Sequence, residues 1–169
     1  AAFVFSAGFS KTAFADEADK TTLVYGSTDY TRINPAMDEH CEINVLLFDG
    51  LTDHDGDNQI IPRLAKSWEY DEENLTYTFH LEEGVKWHDG EPFTAEDVKF
   101  TFEAIMDPAN ESENAPDYED IESIEVIDEH TVAFHLSNIN TAFLEYMTRP
   151  VMPKHLLEAE KIIRYLYET

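Results

Sequence analysis

At 169 residues the chain has the length of one ordinary domain, which leaves no room for two complete lobes. Hydrophobic residues make up 43% and aromatics 12%, enough for a buried core and too many for the composition that stays disordered. Eleven Lys and Arg against 36 Asp and Glu give a formal charge of −25, which repels phosphate backbones and anionic headgroups and argues against nucleic-acid partners.

Residues 1–9 (AAFVFSAGF) are apolar and small, too short to cross a bilayer, and lead to Thr12-Ala13-Phe14-Ala15 and then Asp16-Glu17. This pattern is the end of an export signal with an A-x-A site, so cleavage is expected after Ala15. The competing reading is a buried N-terminal strand, which Gly8, Ser10 and Lys11 would interrupt. Phe9 stands where a lipoprotein box needs its cysteine, which disfavours a lipid anchor. Cys41 is the single cysteine, so an internal disulfide is excluded and the redox compartment stays open.

The β-branched and aromatic content of residues 21–27 (TTLVYGS) predicts a strand, and Asn34-Pro35 a turn. Residues 42–51 carry Ile43, Val45, Leu46, Leu47 and Phe48 in a pattern that predicts a short buried helix ended by Asp49-Gly50. The stretch 53–58 (DHDGDN) reads as a hairpin turn. Asp53, Asp55 and Asp57 suggest a calcium loop, but Gly56 comes too early and the twelfth position is Leu64.

A strand over 68–70 precedes a half-buried strand over 74–81, in which Leu75, Tyr77, Phe79 and Leu81 alternate with polar residues; the two form an antiparallel pair. Gly84 closes it, and Asp89-Gly90 makes another tight turn. Thr94 begins the clearest helix, with Asp97 completing a near capping box. Val98, Phe102, Ile105 and Met106 recur at helical spacing until Asp107-Pro108. A polar loop over 109–117 leads to a second hairpin, 121–127 and 131–136, turning at Asp128-Glu129-His130. Asn140 or Thr141 caps a short helix through Met147, and 159–169 reads as a charged helix with Ile162, Ile163, Leu166 and Tyr167 apolar. Strands and helices mix without steady alternation, which predicts an α/β chain of the mixed α+β kind or part of a larger lobe.

Leu64-Ala65-Lys66-Ser67-Trp68 and the run LTYTFHLEEGVKWHDGEPFTAEDVKFTFEAI carry a resemblance to the family 5 extracellular solute-binding proteins, as does the hairpin around Ile127-Asp128-Glu129-His130-Thr131-Val132. The family's motifs occur in order from about residue 23 to residue 157; Glu82 departs where relatives carry a Lys or Arg. The resemblance implies the receptor of a bacterial ABC importer for oligopeptides, dipeptides or nickel chelates, a two-lobed clamp of the cluster C type of periplasmic-binding-protein-like fold. It further implies an exported, monomeric protein of the periplasm or outer cell surface that delivers its ligand to permease subunits. On this basis residues 1–15 are an export-signal remnant, 16–158 the N-terminal part of lobe I, and 159–169 a tail of uncertain affiliation, with the second lobe absent. Affinity in such a clamp arises when both lobes surround the ligand, so this portion alone is expected to bind weakly or not at all.

Asp38, Glu39, His40 and Cys41 fall where relatives place a loop lining the cleft. Carboxylate, imidazole and thiol all ligate metals, His40 and Cys41 suiting nickel or zinc; a general ligand-lining loop and a purely structural cap are the alternatives. Arg149 lies near the position where nickel-binding relatives use an Arg, and could fork onto a ligand carboxylate or form a surface ion pair. The resemblance also implies that Asn114 and Tyr118 reach the cleft from the polar loop. His80 and His88 flank the Gly84 turn and need not converge. No nucleophile elbow, H-E-x-x-H helix, Walker loop or dinucleotide fingerprint is present, so neither catalysis nor a resident cofactor is expected. The readings left beside transport are a metal-dependent peptide hydrolase built on Asp38, His40 and His54, and a clamp-type sensor or chaperone.

Overall fold

The computed structural model of the protein describes residues 44–158. The export segment, the strand over 21–27, the Asn34-Pro35 turn, the Asp38 to Cys41 loop and the tail from 159 lie outside the described residues.

The first described element is α1, Asn44–Leu47, one turn inside the helix expected over 42–51. It ends early because Asp49 and Gly50 carry the backbone against a distant segment: Leu51 N–H donates to the Met147 carbonyl at 2.9 Å, and Val151 N–H to that of Asp49 at 2.9 Å. A two-stranded hairpin follows, β1 (Thr52–His54) against β2 (Ile60–Pro62). Its turn is built by Asp55, whose Oδ1 accepts from the amides of Asp57 and Gln59, both at 2.9 Å. The aspartates that resemble a calcium loop thus serve the backbone of a turn.

The main sheet has four antiparallel strands: β3 (Ala65–Asp71), β4 (Thr76–Leu81), β5 (Ile121–Asp128) and β6 (Thr131–Leu136), in the order β3-β4-β6-β5. Each expected hairpin is therefore present, and the two join where β4 pairs with β6. Leu75 belongs to the turn rather than the strand. Its φ of 49° is left-handed, because Asp71 Oδ1 folds the chain back by accepting from the amides of Glu73 and Asn74 at 3.0 and 3.1 Å.

Period-two alternation gives the sheet one apolar face, with Phe79, Leu81, Val132, Phe134 and Leu136 buried under α2 (Ala95–Met106) and α3 (Phe143–Tyr146). Aromatic rings fill this layer edge to face: Phe79 on Phe134 at 5.6 Å and 84°, Phe102 on Phe134 at 5.3 Å and 86°. The opposite face carries Glu69, Thr76, Thr78 and His135 and is open to solvent in a broad trough of about 830 Å³.

The start of α2 is the capping box expected at Thr94. The Thr94 hydroxyl accepts from the Glu96 amide at 3.3 Å, and Asp97 Oδ2 accepts from the Thr94 amide at 2.9 Å. Thr94→Ala is expected to cost about 1 kcal/mol, and Thr94→Ser much less, as shifts of the denaturation midpoint at constant slope. The loop after α2 is more ordered than its composition suggests, with 3-10 turns at Pro108–Asn110 and Ala115–Tyr118. The described chain closes with α4, Lys154–Leu157.

Candidate functional site

The segment 147–153 runs over the molecule between two anchors. On one side Phe143 is 1% exposed and stacks on Tyr77 with centroids 4.7 Å apart, fixing α3 to the sheet. Gly50 then lets the backbone at Met147 and Thr148 come close: a Cβ on Gly50 would lie 2.5 Å from the Thr148 carbonyl oxygen. On the other side Val151 and Met152 are fully buried, and the Met152 amide donates to Thr101 Oγ1 at 2.8 Å. The Lys154 amide donates to Asp97 Oδ1, also at 2.8 Å. Arg149 and Pro150 are held between these anchors, so the direction of the arginine side chain is set by the core.

The second 3-10 turn meets this segment. Tyr118 is 1% exposed, its ring lies edge-on to Phe102 at 5.2 Å, and its hydroxyl donates to the Tyr146 carbonyl at 2.9 Å. Burial pushes the Tyr118 phenol up to about 12, opposed in part by the adjacent Arg149 guanidinium. It therefore stays neutral at physiological pH. Asn114 is fully buried, and its Oδ1 accepts from Arg149 Nη2 at 2.9 Å.

Of the candidates drawn from the sequence, Asn114, Tyr118 and Arg149 thus come together at one place, although 35 residues separate the outer two. Their roles differ. Asn114 and Tyr118 are buried, and Asn114 Oδ1 holds the guanidinium. Arg149 has five N–H donors and lines an open pocket of about 320 Å³ with Tyr118, Glu145, Tyr146, Thr148 and Pro150. Glu145, which sequence reasoning passed over, is braced by His54, with Nε2 and Oε2 2.9 Å apart. Its signal was faint: a carboxylate four positions before an arginine, in a chain with 36 acidic residues.

Asp38, Glu39, His40 and Cys41 lie outside the described residues, as does the metal contact expected of His40 and Cys41. Among the described residues no group of three or more His, Cys, Asp or Glu could hold a metal ion. His54, the described member of the hydrolase set, is engaged by Glu145.

Residues 59–161 match the model of the bacterial extracellular solute-binding proteins, family 5 Middle, over more than half of the chain. The chain belongs to this family. Among curated relatives of this family member, di/tripeptide-binding protein 1 of Pseudomonas aeruginosa is 36% identical, the match covering 62% of this chain and 23% of the relative. Among solved structures, NikZ of Campylobacter jejuni in complex with Ni(L-His) superposes with a TM-score of 0.77 at 41% identity, covering 79% of this chain and 27% of that one. The oligopeptide-binding protein AppA of Bacillus subtilis, in complex with a nonapeptide, gives 0.71 at 28% identity, covering 76% and 27%. The chain therefore spans about a quarter of the length of these relatives. The mixed α/β fold expected from the sequence is the fold of these substrate-binding proteins.

Proposed function

We propose that this chain is part of the capture component of a bacterial ABC importer, taking up a short peptide or a nickel chelate outside the membrane and presenting it to permease subunits. The observation that carries this reading is Arg149, braced by the buried Asn114 at 2.9 Å and facing an open pocket. Peptides and a histidine chelate share a carboxylate, the group that a planar guanidinium binds through two parallel hydrogen bonds. Such a pair is weak while water covers it and strengthens once solvent is excluded, as when an opposing surface closes over the ligand. No reaction and no resident cofactor is part of this reading. Export, with signal cleavage after Ala15, and a monomeric state complete the proposal. The family's extracellular character supports export.

Native mass spectrometry of the full-length protein purified from its source tests the reading, the expected spectrum showing a retained peptide or metal chelate. In calorimetry with that ligand, Arg149→Lys should weaken binding about tenfold, because a point charge replaces the fork. A protein that carries no ligand and binds neither peptides nor Ni(L-His) saturably would overturn it.

A further inference from the structure

Two triplets in the sequence have the Asn-x-Ser/Thr form that accepts a glycan on the asparagine amide nitrogen, Asn74-Leu75-Thr76 and Asn110-Glu111-Ser112. The fold treats them differently. Asn110 is half-buried and its Nδ2 donates to the Ala104 carbonyl at 2.8 Å, while Ser112 is 8% exposed and its hydroxyl accepts from the Asn114 amide at 3.3 Å. Neither group is presented to an enzyme. Asn74 lies in the turn between β3 and β4, where residues 71–74 are all exposed. Leu75, with its φ of 49°, bends the triplet, and the half-buried Thr76 donates its hydroxyl to the Asn74 carbonyl at 3.0 Å, with His135 Nδ1 also at 3.0 Å. The hydroxyl is thus folded back onto the asparagine that it accompanies in the acceptor triplet.

We infer that Asn74 is an N-glycosylation site, modified by a membrane oligosaccharyltransferase on the outer side of the membrane. The inference goes beyond ligand capture and rests on the export proposed above. In the transfer, Asn74 Nδ2 attacks the anomeric carbon of a glycan carried on a polyisoprenyl diphosphate. The N–C bond forms as the C–O bond to the diphosphate breaks, one amide proton passes to a base of the transferase, and the diphosphate leaves on its lipid. Glu72, two positions before the acceptor, is an exposed carboxylate that an arginine of the transferase can fork onto. The turn tolerates the change. Asn74 Nδ2 is tethered to Asp71 Oδ2 at 2.7 Å, whereas the backbone amides of Glu73 and Asn74 donate to the other oxygen, Oδ1, so the turn keeps its backbone bonds when the side chain swings out. Asn74 lines the solvent-filled trough of the open sheet face, and Arg149 lines a different pocket. A glycan there shields the tip of the β3–β4 hairpin and leaves ligand capture untouched.

The test is peptide mass spectrometry with glycan fragmentation, on the full-length protein recovered from its source. The peptide containing Asn74 should carry a glycan and the peptide containing Asn110 should be bare. Expressed in the same source, Thr76→Ala keeps the asparagine and should lose the modification, whereas Thr76→Ser keeps the hydroxyl and should retain it. An exported protein whose Asn74 is bare overturns the assignment and leaves the transport reading standing. So does a glycan found on Asn110 with none on Asn74, or a modification of Asn74 that survives Thr76→Ala. A protein recovered only from inside the cell, with Asn74 bare, overturns the assignment and the export on which it rests.

Discussion

Gly50→Ala is expected to destabilise the protein by about 3 kcal/mol, at the upper end of ordinary overpacking, and to abolish ligand binding together with it. The added methyl would lie 2.5 Å from the Thr148 carbonyl oxygen, 2.6 Å from its carbon and 2.8 Å from the Met147 carbonyl oxygen. All of these are backbone atoms, which cannot rotate aside as the end of a long side chain can. Two strands of chain must separate, and with them go the bonds from the Leu51 and Thr52 amides to the Met147 carbonyl, at 2.9 and 3.2 Å. The displaced strand carries Arg149 one residue further on, so the site moves with the packing defect. Thermal denaturation and calorimetry on the same sample check both halves. A variant with wild-type melting temperature would show that the two strands do not approach as closely as described.

Asp97→Ala should cost about 3–4 kcal/mol, well beyond the loss of a helix cap. Asp97 is 4% exposed, and its two oxygens accept from the Thr94 amide at 2.9 Å, the Lys154 amide at 2.8 Å and the Trp87 indole at 3.4 Å. Alanine leaves these part-buried donors without their shared acceptor. Asp97→Asn, which keeps one acceptor oxygen and turns an amide towards the other donors, should fall between alanine and wild type. Denaturation midpoints give the order, and hydrogen exchange at the Lys154 amide should accelerate in step. Equal stability of the alanine and wild-type proteins would remove Asp97 as the tie between α2 and the segment that holds the site.

These effects mark the boundary of what could be read from the chain. Both main hairpins were legible, because Tyr77, Phe79 and Leu81, and again Val132, Phe134 and Leu136, alternate with polar neighbours, and a period of two has one structural meaning when turn residues follow. The capping box was legible because its partners are three residues apart. Asp97 as an anchor for Lys154 was not, since that bond spans 57 residues and a carboxylate carries no local sign of its distant donor. The 3-10 turns were hidden for a related reason: residues 108–118 look polar and irregular, yet Tyr118 is drawn under Phe102 by a core that forms only when the sheet does. At the site, Arg149 stood out as a cation in an acidic chain. Glu145 did not, because its place beside the pocket depends on His54 and on the turn after α3, neither of which has a signature in sequence.

The seam between β4 and β6 runs from Thr76↔His135 to His80↔Thr131, joining two hairpins made some fifty residues apart into one continuous ladder. A ladder stitched at its middle rungs has no crease along which to fold. A hinge, wherever the protein has one, therefore lies outside this slab.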